Sequence, residues 1–222
     1  MEISGRRLAH ALLLPVALAI VTIGISGALG ALVLGSPDAF FGASAASFAL
    51  LGIAAVLRAG GVVGLGLVKF GGVSLREVGW REQSPLLAIA LGVAGFAGIA
   101  AALAGILAAF GALDLGAAAH TIATWSAAQR ALFLCIAVEA GFTEETIFRG
   151  FLQPALASRL GLAGGILAQA VVFSLYHVPR GPIPLLTRFA FGLVLGVLRG
   201  RDRPLWSCAI AHALTWIVLG SL

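Results

Sequence analysis

The sequence predicts an all-α, polytopic transmembrane helix bundle of about seven spans with a cytoplasmic N-terminus, and three observations carry that expectation. Of 222 residues, 60% are hydrophobic and 10% charged, with a mean hydropathy of +1.08; a soluble domain of this size needs far more polar surface. Apolar stretches follow one another almost end to end, each near the roughly 20 residues that cross a hydrocarbon core of about 30 Å. The basic residues, thirteen Arg and one Lys, fall singly or in short groups between those stretches, as helix-end topology signals do. The net charge of +5 does not point to nucleic acid, because that partner needs a basic stripe on polar surface.

Spans are expected at residues 9–34, 39–68, 85–111, 126–156, 162–178, 183–198 and 204–221 of a single membrane-embedded domain, 1–222. Arg6 and Arg7 precede an apolar run too long for a signal-peptide core, so the first span is read as uncleaved. Arg58, Gly60 and Gly61 interrupt the second, which makes Val62 to Lys69 a candidate for a separate re-entrant or interfacial turn. Ser74 to Gln83 is the one extended polar segment, a connector with Trp80 suited to the headgroup level. Cys135 and Cys208 sit in apolar runs and read as small buried hydrophobes. In the sixth span, Gly192 and Gly196 form a small-residue packing face. Arg188, on that face, is expected either to meet a carboxylate, Glu139 first, or to snorkel beside Arg180. An N-in, C-out topology gathers Arg6, Arg7, Lys69, Arg76, Arg81, Arg159, Arg199, Arg201 and Arg203 on one side.

The fourth span holds Glu139, Glu144, Glu145 and Arg149. Insertion scales charge about 2.5–3.5 kcal/mol for an Asp, Lys or Arg at a helix centre, so packing alone does not account for them. At about 100° per residue, Glu145 and Arg149 lie about 40° apart as an i, i+4 pair in the favourable order. Glu144 points about 100° away from Glu145 and faces something else. Ala137, Ala140 and Gly141 on its face leave room for a helix, a water or an extended peptide. His177 ends the fifth span before Pro179, with Phe173 and Ser174 one turn back; His212 lies midway along the seventh, with Thr215 and Trp216 one turn on. Such a set suits general-base hydrolysis, in which a carboxylate or imidazole takes a proton from water and donors hold an oxyanion. The structural reading of the same residues is a buried ionic lock with packing histidines.

EETIFRG (Glu144 to Gly150) resembles an EExxxR motif, FSLYH (Phe173 to His177) resembles FxxxH, and His212 matches the leading His of a final HxxxN motif. With FGLVLG and LWSCAIAHAL, these ordered motifs resemble the CPBP family over about residues 126–221. That family comprises the CAAX protease, bacteriocin-processing or Abi intramembrane proteases. The resemblance implies a multi-pass helical peptidase in which Glu144 is the general base and His177 helps polarise the attacking water. It implies that His212 helps hold the oxyanion, that Glu145 and Arg149 support the site, and that Phe173 packs it. The sequence departs from the pattern at Trp216, where the family has Asn; its indole N–H donates but cannot copy a carboxamide, and Thr215 offers a hydroxyl instead.

No cofactor is favoured. Zinc stays open as the alternative, held by Glu144, His177 and His212 with a water in the fourth position; that would leave Glu145 as base, although Arg149 is placed to neutralise it. Two other functional classes are carried: an inactive peptide-binding, scaffold or immunity-type protein, for which Trp216 argues, and a small transporter, for which paired half-helices in matching halves are not found. The expected partners are a peptide or membrane-protein substrate and the lipid bilayer of a bacterial inner membrane, without nucleic acid. Nothing in the sequence specifies an oligomeric state.

Overall fold

In the computed structural model, the described residues are 5–35, 44–114, 116, 123–178 and 181–219. Pro179, Arg180 and the outer ends of the second and seventh expected spans lie outside them.

The first span is α1 (Gly5–Ala19), a π-helical turn (Ile20–Ile25) and α2 (Ser26–Leu34). The second begins at α3 (Ala45–Ala55), where Ser44 and Ser47 cap each other reciprocally, satisfying orphan N–H groups of the first turn. It then continues, without the expected interruption, as a π-helical stretch from Val56 to Phe70. Val62 to Lys69 is therefore not a separate turn. Gly60 and Gly61, beside which no other atom approaches an added Cβ within 4 Å, leave the wider helix uncrowded.

The polar connector holds one helical turn, α4 (Leu75–Val78), closed by a Ser74–Glu77 capping box. The backbone N–H and then the hydroxyl of Ser74 hold the Glu77 carboxyl below the ordinary carboxylate range. Trp80 donates its indole N–H to Thr146 Oγ1 at 2.7 Å and packs its ring on Phe142 and Trp206, so the connector is tied into the bundle. Arg199 is buried at 2% exposure and donates to the carbonyls of Arg149, Val78 and Arg203.

Helix α5 (Pro85–Ala109) starts on Pro85 at its first position, where a missing N–H costs nothing. Helix α6 (Ala127–Glu144) is capped by Ser126 with Gln129 and passes through a π-helical segment (Glu145–Leu152) into α7 (Gln153–Tyr176). The run Ala127–Tyr176 is not one rod. Gly161, at φ 72° and ψ 171°, takes a backbone conformation open to glycine, and the chain folds back there. Phe148 and Phe173 prove the reversal: their rings are 5.0 Å apart, whereas a straight helix would separate them by roughly 37 Å at about 1.5 Å per residue. Helices α8 (Pro182–Arg199) and α9 (Trp206–Leu219) complete the order.

Helix α5 packs on α8 and α9, α6 on α9, and α7 on α8. The Gly192 face works as expected, since a Cβ there would lie 2.9 Å from the Cα of Ala170, and Gln169 Nε2 donates across the contact to Gly192 O at 2.8 Å. Four helices are long and apolar enough to cross a membrane (Ala45–Phe70, Pro85–Ala109, Ala127–Tyr176 and Pro182–Arg199), with a shorter apolar helix at Trp206–Val218. Leu86, Val138, Leu167, Leu175 and Val197 point outward while Glu144, Glu145, Arg149, Gln169 and His212 are buried, the distribution of a protein whose solvent is lipid. Cys208 is buried as expected, but Cys135 is on the outer face; both are free thiols.

Candidate active site

The site forms where α6 becomes π-helical, and the two adjacent carboxylates address different partners. Glu145, fully buried, places Oε1 2.9 Å from Arg149 Nη1 and 2.7 Å from His212 Nδ1. The expected Glu145–Arg149 pair is present, and the Arg149 guanidinium also lies 4.3 Å over the ring of Phe173, a cation–π contact. Phe173 in turn stacks on Phe191 at 5.6 Å and meets His177 edge-on.

Glu144 turns the other way. Its Oε1 accepts from Arg58 Nη2 at 2.9 Å and from the Tyr176 hydroxyl at 3.4 Å. Its Oε2 is buried with no protein hydrogen-bond partner, 3.9 Å from His177 Nε2 and 4.0 Å from His212 Nε2. On the face of Ala137, Ala140 and Gly141 a neighbouring helix comes close, since a Cβ at Gly141 would lie 3.1 Å from Ala209 O of α9, and Ala137 and Gly141 also line an apolar cavity.

Both imidazoles have their tautomer assigned by what surrounds them. His177 Nδ1 lies 2.8 Å from the Phe173 carbonyl, which only accepts, so Nδ1 carries the proton and the Nε2 lone pair faces Glu144. His212 donates from Nδ1 to Glu145, and its Nε2 accepts from the Trp216 indole N–H at 3.2 Å. Glu144 Oε2 and His177 Nε2 thus face each other as two acceptors, an arrangement that calls for a donor between them, while the lone pair of His212 Nε2 is taken by Trp216. Thr215 does not supply one, because its hydroxyl donates to Ala211 O in its own helix. Trp216 does bring its N–H to the site, on the His212 side.

The sequence reading did not assign Arg58 or Tyr176 to the site. Arg58 also pairs with Glu139, Nε to Oε1 at 3.0 Å, and Glu139 Oε1 accepts from Thr143 Oγ1 at 2.7 Å. The partner of Glu139 is therefore Arg58 and not Arg188. One signal was available: unpaired carboxylates in a fourth span require a cation, and Arg58 is the lone charge of the second. Tyr176 is the single tyrosine of the chain and sits inside the FSLYH motif.

A cavity of about 530 Å³ between α6 and α9 is lined by Ala137, Gly141, Phe142, Trp80, Trp206 and Ile210 among other residues and contains none of the charged groups or imidazoles of the site.

Fold and site together define an all-α membrane protein in which two carboxylates and two imidazoles are brought together inside the bundle. Residues 126–218, somewhat less than half of the chain, match the family model described as type II CAAX prenyl endopeptidase Rce1-like, and that segment is similar to the CPBP/CAAX protease family. No curated protein and no solved structure matches it. The matched segment holds Glu144, Glu145, Arg149, Phe173, Tyr176, His177, His212 and Trp216; Arg58 lies outside it.

Proposed function

We propose that the protein is an intramembrane endopeptidase that hydrolyses a peptide bond of a membrane-associated substrate with a water activated by Glu144. The carrying observation is the Oε2 of Glu144, without a hydrogen-bond partner among the described residues, facing the Nε2 lone pair of His177, with His212 Nε2 and the Trp216 N–H beside it. A water in that volume donates one proton to Oε2 and the other to His177 Nε2, which orients its oxygen toward a substrate carbonyl. As the O–H proton passes to Oε2, the oxygen bonds to the carbonyl carbon and the carbonyl oxygen becomes an oxyanion. Collapse breaks the C–N bond, and Glu144 returns its proton to the departing amine.

His212 as its Nδ1–H tautomer has no donor at Nε2, so the N–H on that side belongs to Trp216, and the two residues act on the oxyanion as a unit. A proton on Nε2 would give an imidazolium whose charge Glu145 balances across 2.7 Å. Glu145 and Arg149 orient the imidazole, as carboxylates commonly do for a working histidine.

The donor set does not suit zinc. Tetrahedral ligands about 2.0–2.1 Å from the metal stand roughly 3.3 Å apart, but Glu144 Oε2 is 3.9 and 4.0 Å from the two Nε2 atoms, and His212 Nε2 already accepts from Trp216. The spacing of these atoms supports the reading of a glutamate-type peptidase.

Its place is the bacterial inner membrane, and its substrate class is a peptide undergoing maturation or a protein losing a C-terminal anchoring or sorting tail. Glu144→Gln tests the mechanism: the variant keeps shape and helical content, and proteolysis falls to background. Wild-type cleavage by that variant refutes the proposal.

A further inference from the structure

A carboxylate base has two equivalent oxygens and rotates between them unless something distinguishes them. At Glu144 the distinction is made from the N-terminal half of the chain. Arg58, 86 residues away, donates Nη2–H to Oε1 at 2.9 Å, and Tyr176 adds its hydroxyl to the same oxygen. Oε2 is left bare toward the two imidazoles.

The holding groups are themselves held. Arg58 Nε is 3.0 Å from Glu139 Oε1, and Thr143 Oγ1 donates to that oxygen at 2.7 Å. The Tyr176 hydroxyl is 3.1 Å from Thr22 Oγ1 in the first span. Arg58 is 7% exposed and lies in a π-helical turn, a local widening that is frequent at functional sites. The planar guanidinium spans two carboxylates at once, which an ammonium cannot copy.

We infer that Arg58 is a positioning residue of the hydrolytic centre: from the second span it fixes Oε1 of Glu144, so that Oε2 alone is presented between His177 and His212. The inference rests on the protease reading above. It makes the first two spans part of the working site, although the family match begins at residue 126.

A simple ionic lock between the second span and α6 would use the same contacts, and charge-balanced variants separate the two roles. The full chain, purified and placed in lipid nanodiscs, is assayed on an internally quenched prenylated peptide ending in a CAAX sequence, with thermal stability measured in parallel. Arg58→Gln strands two carboxylates and lowers both stability and turnover. In Arg58→Gln with Glu139→Gln the surplus charge is gone, so stability returns toward wild type. Under the positioning role kcat stays down by about 100-fold, the scale of a misplaced reacting group, while KM stays within about twofold. Arg58→Lys keeps the charge without the fork and loses at least about tenfold in kcat.

A double variant that recovers kcat along with stability overturns the inference and leaves a lock. If the double variant fails to fold, wild-type kcat in Arg58→Lys overturns it instead, as does any rise in kcat on removing Arg58. Failure of the protease reading looks different: Glu144→Gln still cuts, or the wild-type protein leaves the peptide intact.

Discussion

Replacing Glu145 by Gln preserves volume and still offers an oxygen to His212 Nδ1, yet it strands the guanidinium of Arg149 in a place with no water. Both side chains are fully buried at 2.9 Å, where an effective dielectric of about 20 gives a screened attraction of about 6 kcal/mol. Much of that offsets desolvation in the native state, and removing one partner of such a pair typically costs about 3–5 kcal/mol. The π-face of Phe173 at 4.3 Å recovers only a fraction, since an exposed cation–π contact contributes about 0.5–1 kcal/mol. For a chain of this size, about 2–4 °C per kcal/mol makes the apparent melting midpoint fall by roughly 10 °C. The assay is the monodisperse fraction surviving a heating series in detergent, which suits a protein whose unfolding need not reverse. Arg149→Met alone strands Glu145 and behaves similarly. The two changes together remove both charges and return most of the loss. Single variants within about 2 °C of wild type, or a double variant whose loss equals the sum of the singles, would refute the argument.

Three further outcomes follow from named contacts. Trp216→Phe removes the N–H on His212 Nε2 and lowers kcat by about 10²-fold with KM little changed, the size of one lost oxyanion donor; unchanged turnover removes Trp216 from the site. Gly192→Leu forces side-chain atoms onto the Ala170 backbone and abolishes the folded monomer in detergent, a loss that size-exclusion chromatography reads. In a Cys135→Ala, Cys208→Ala background, an impermeant maleimide applied to whole cells labels Gly116→Cys and spares Arg76→Cys if the N-terminus is cytoplasmic. The reverse pattern would redraw the first two spans.

What the sequence disclosed and what it hid divide along the distance between partners. The Glu145–Arg149 pair was legible because both members lie on one helix at a spacing that any helix brings together. The gap between the fourth and fifth expected spans was legible because Gly161 and its neighbours break the apolar run, and the structure turns there. The convergence of Glu144, His177 and His212 was legible through ordered motifs and through the cost of burying them. Arg58 was not. Its partners are 81 and 86 residues away, and no local periodicity encodes which bundle charge a lone arginine meets. The partners of Trp80 and Arg199 were hidden for a related reason: composition suggests a membrane boundary, but only packing shows that their donors meet Thr146 and backbone carbonyls.

Two π-helical segments meet at this centre, Val56–Phe70 bearing Arg58 and Glu145–Leu152 bearing Glu145 and Arg149. Such segments are rare and, where they occur, frequent at functional sites, and here each carries a buried charge of the site. Adjacent carboxylates on one helix would repel if both faced the same volume. The change of helical winding at Glu144 and Glu145 lets one carboxylate turn to Arg58 and Tyr176 and the other to Arg149 and His212. Glu144 Oε1 is met by Arg58 and Tyr176 and Glu145 Oε1 by Arg149 and His212, so each carboxylate keeps one buried oxygen, Oε2, without a hydrogen-bond partner among the described residues. A buried acceptor left so costs free energy, and Oε2 of Glu144 stands 3.9 Å from His177 Nε2, where one donor would serve both acceptors.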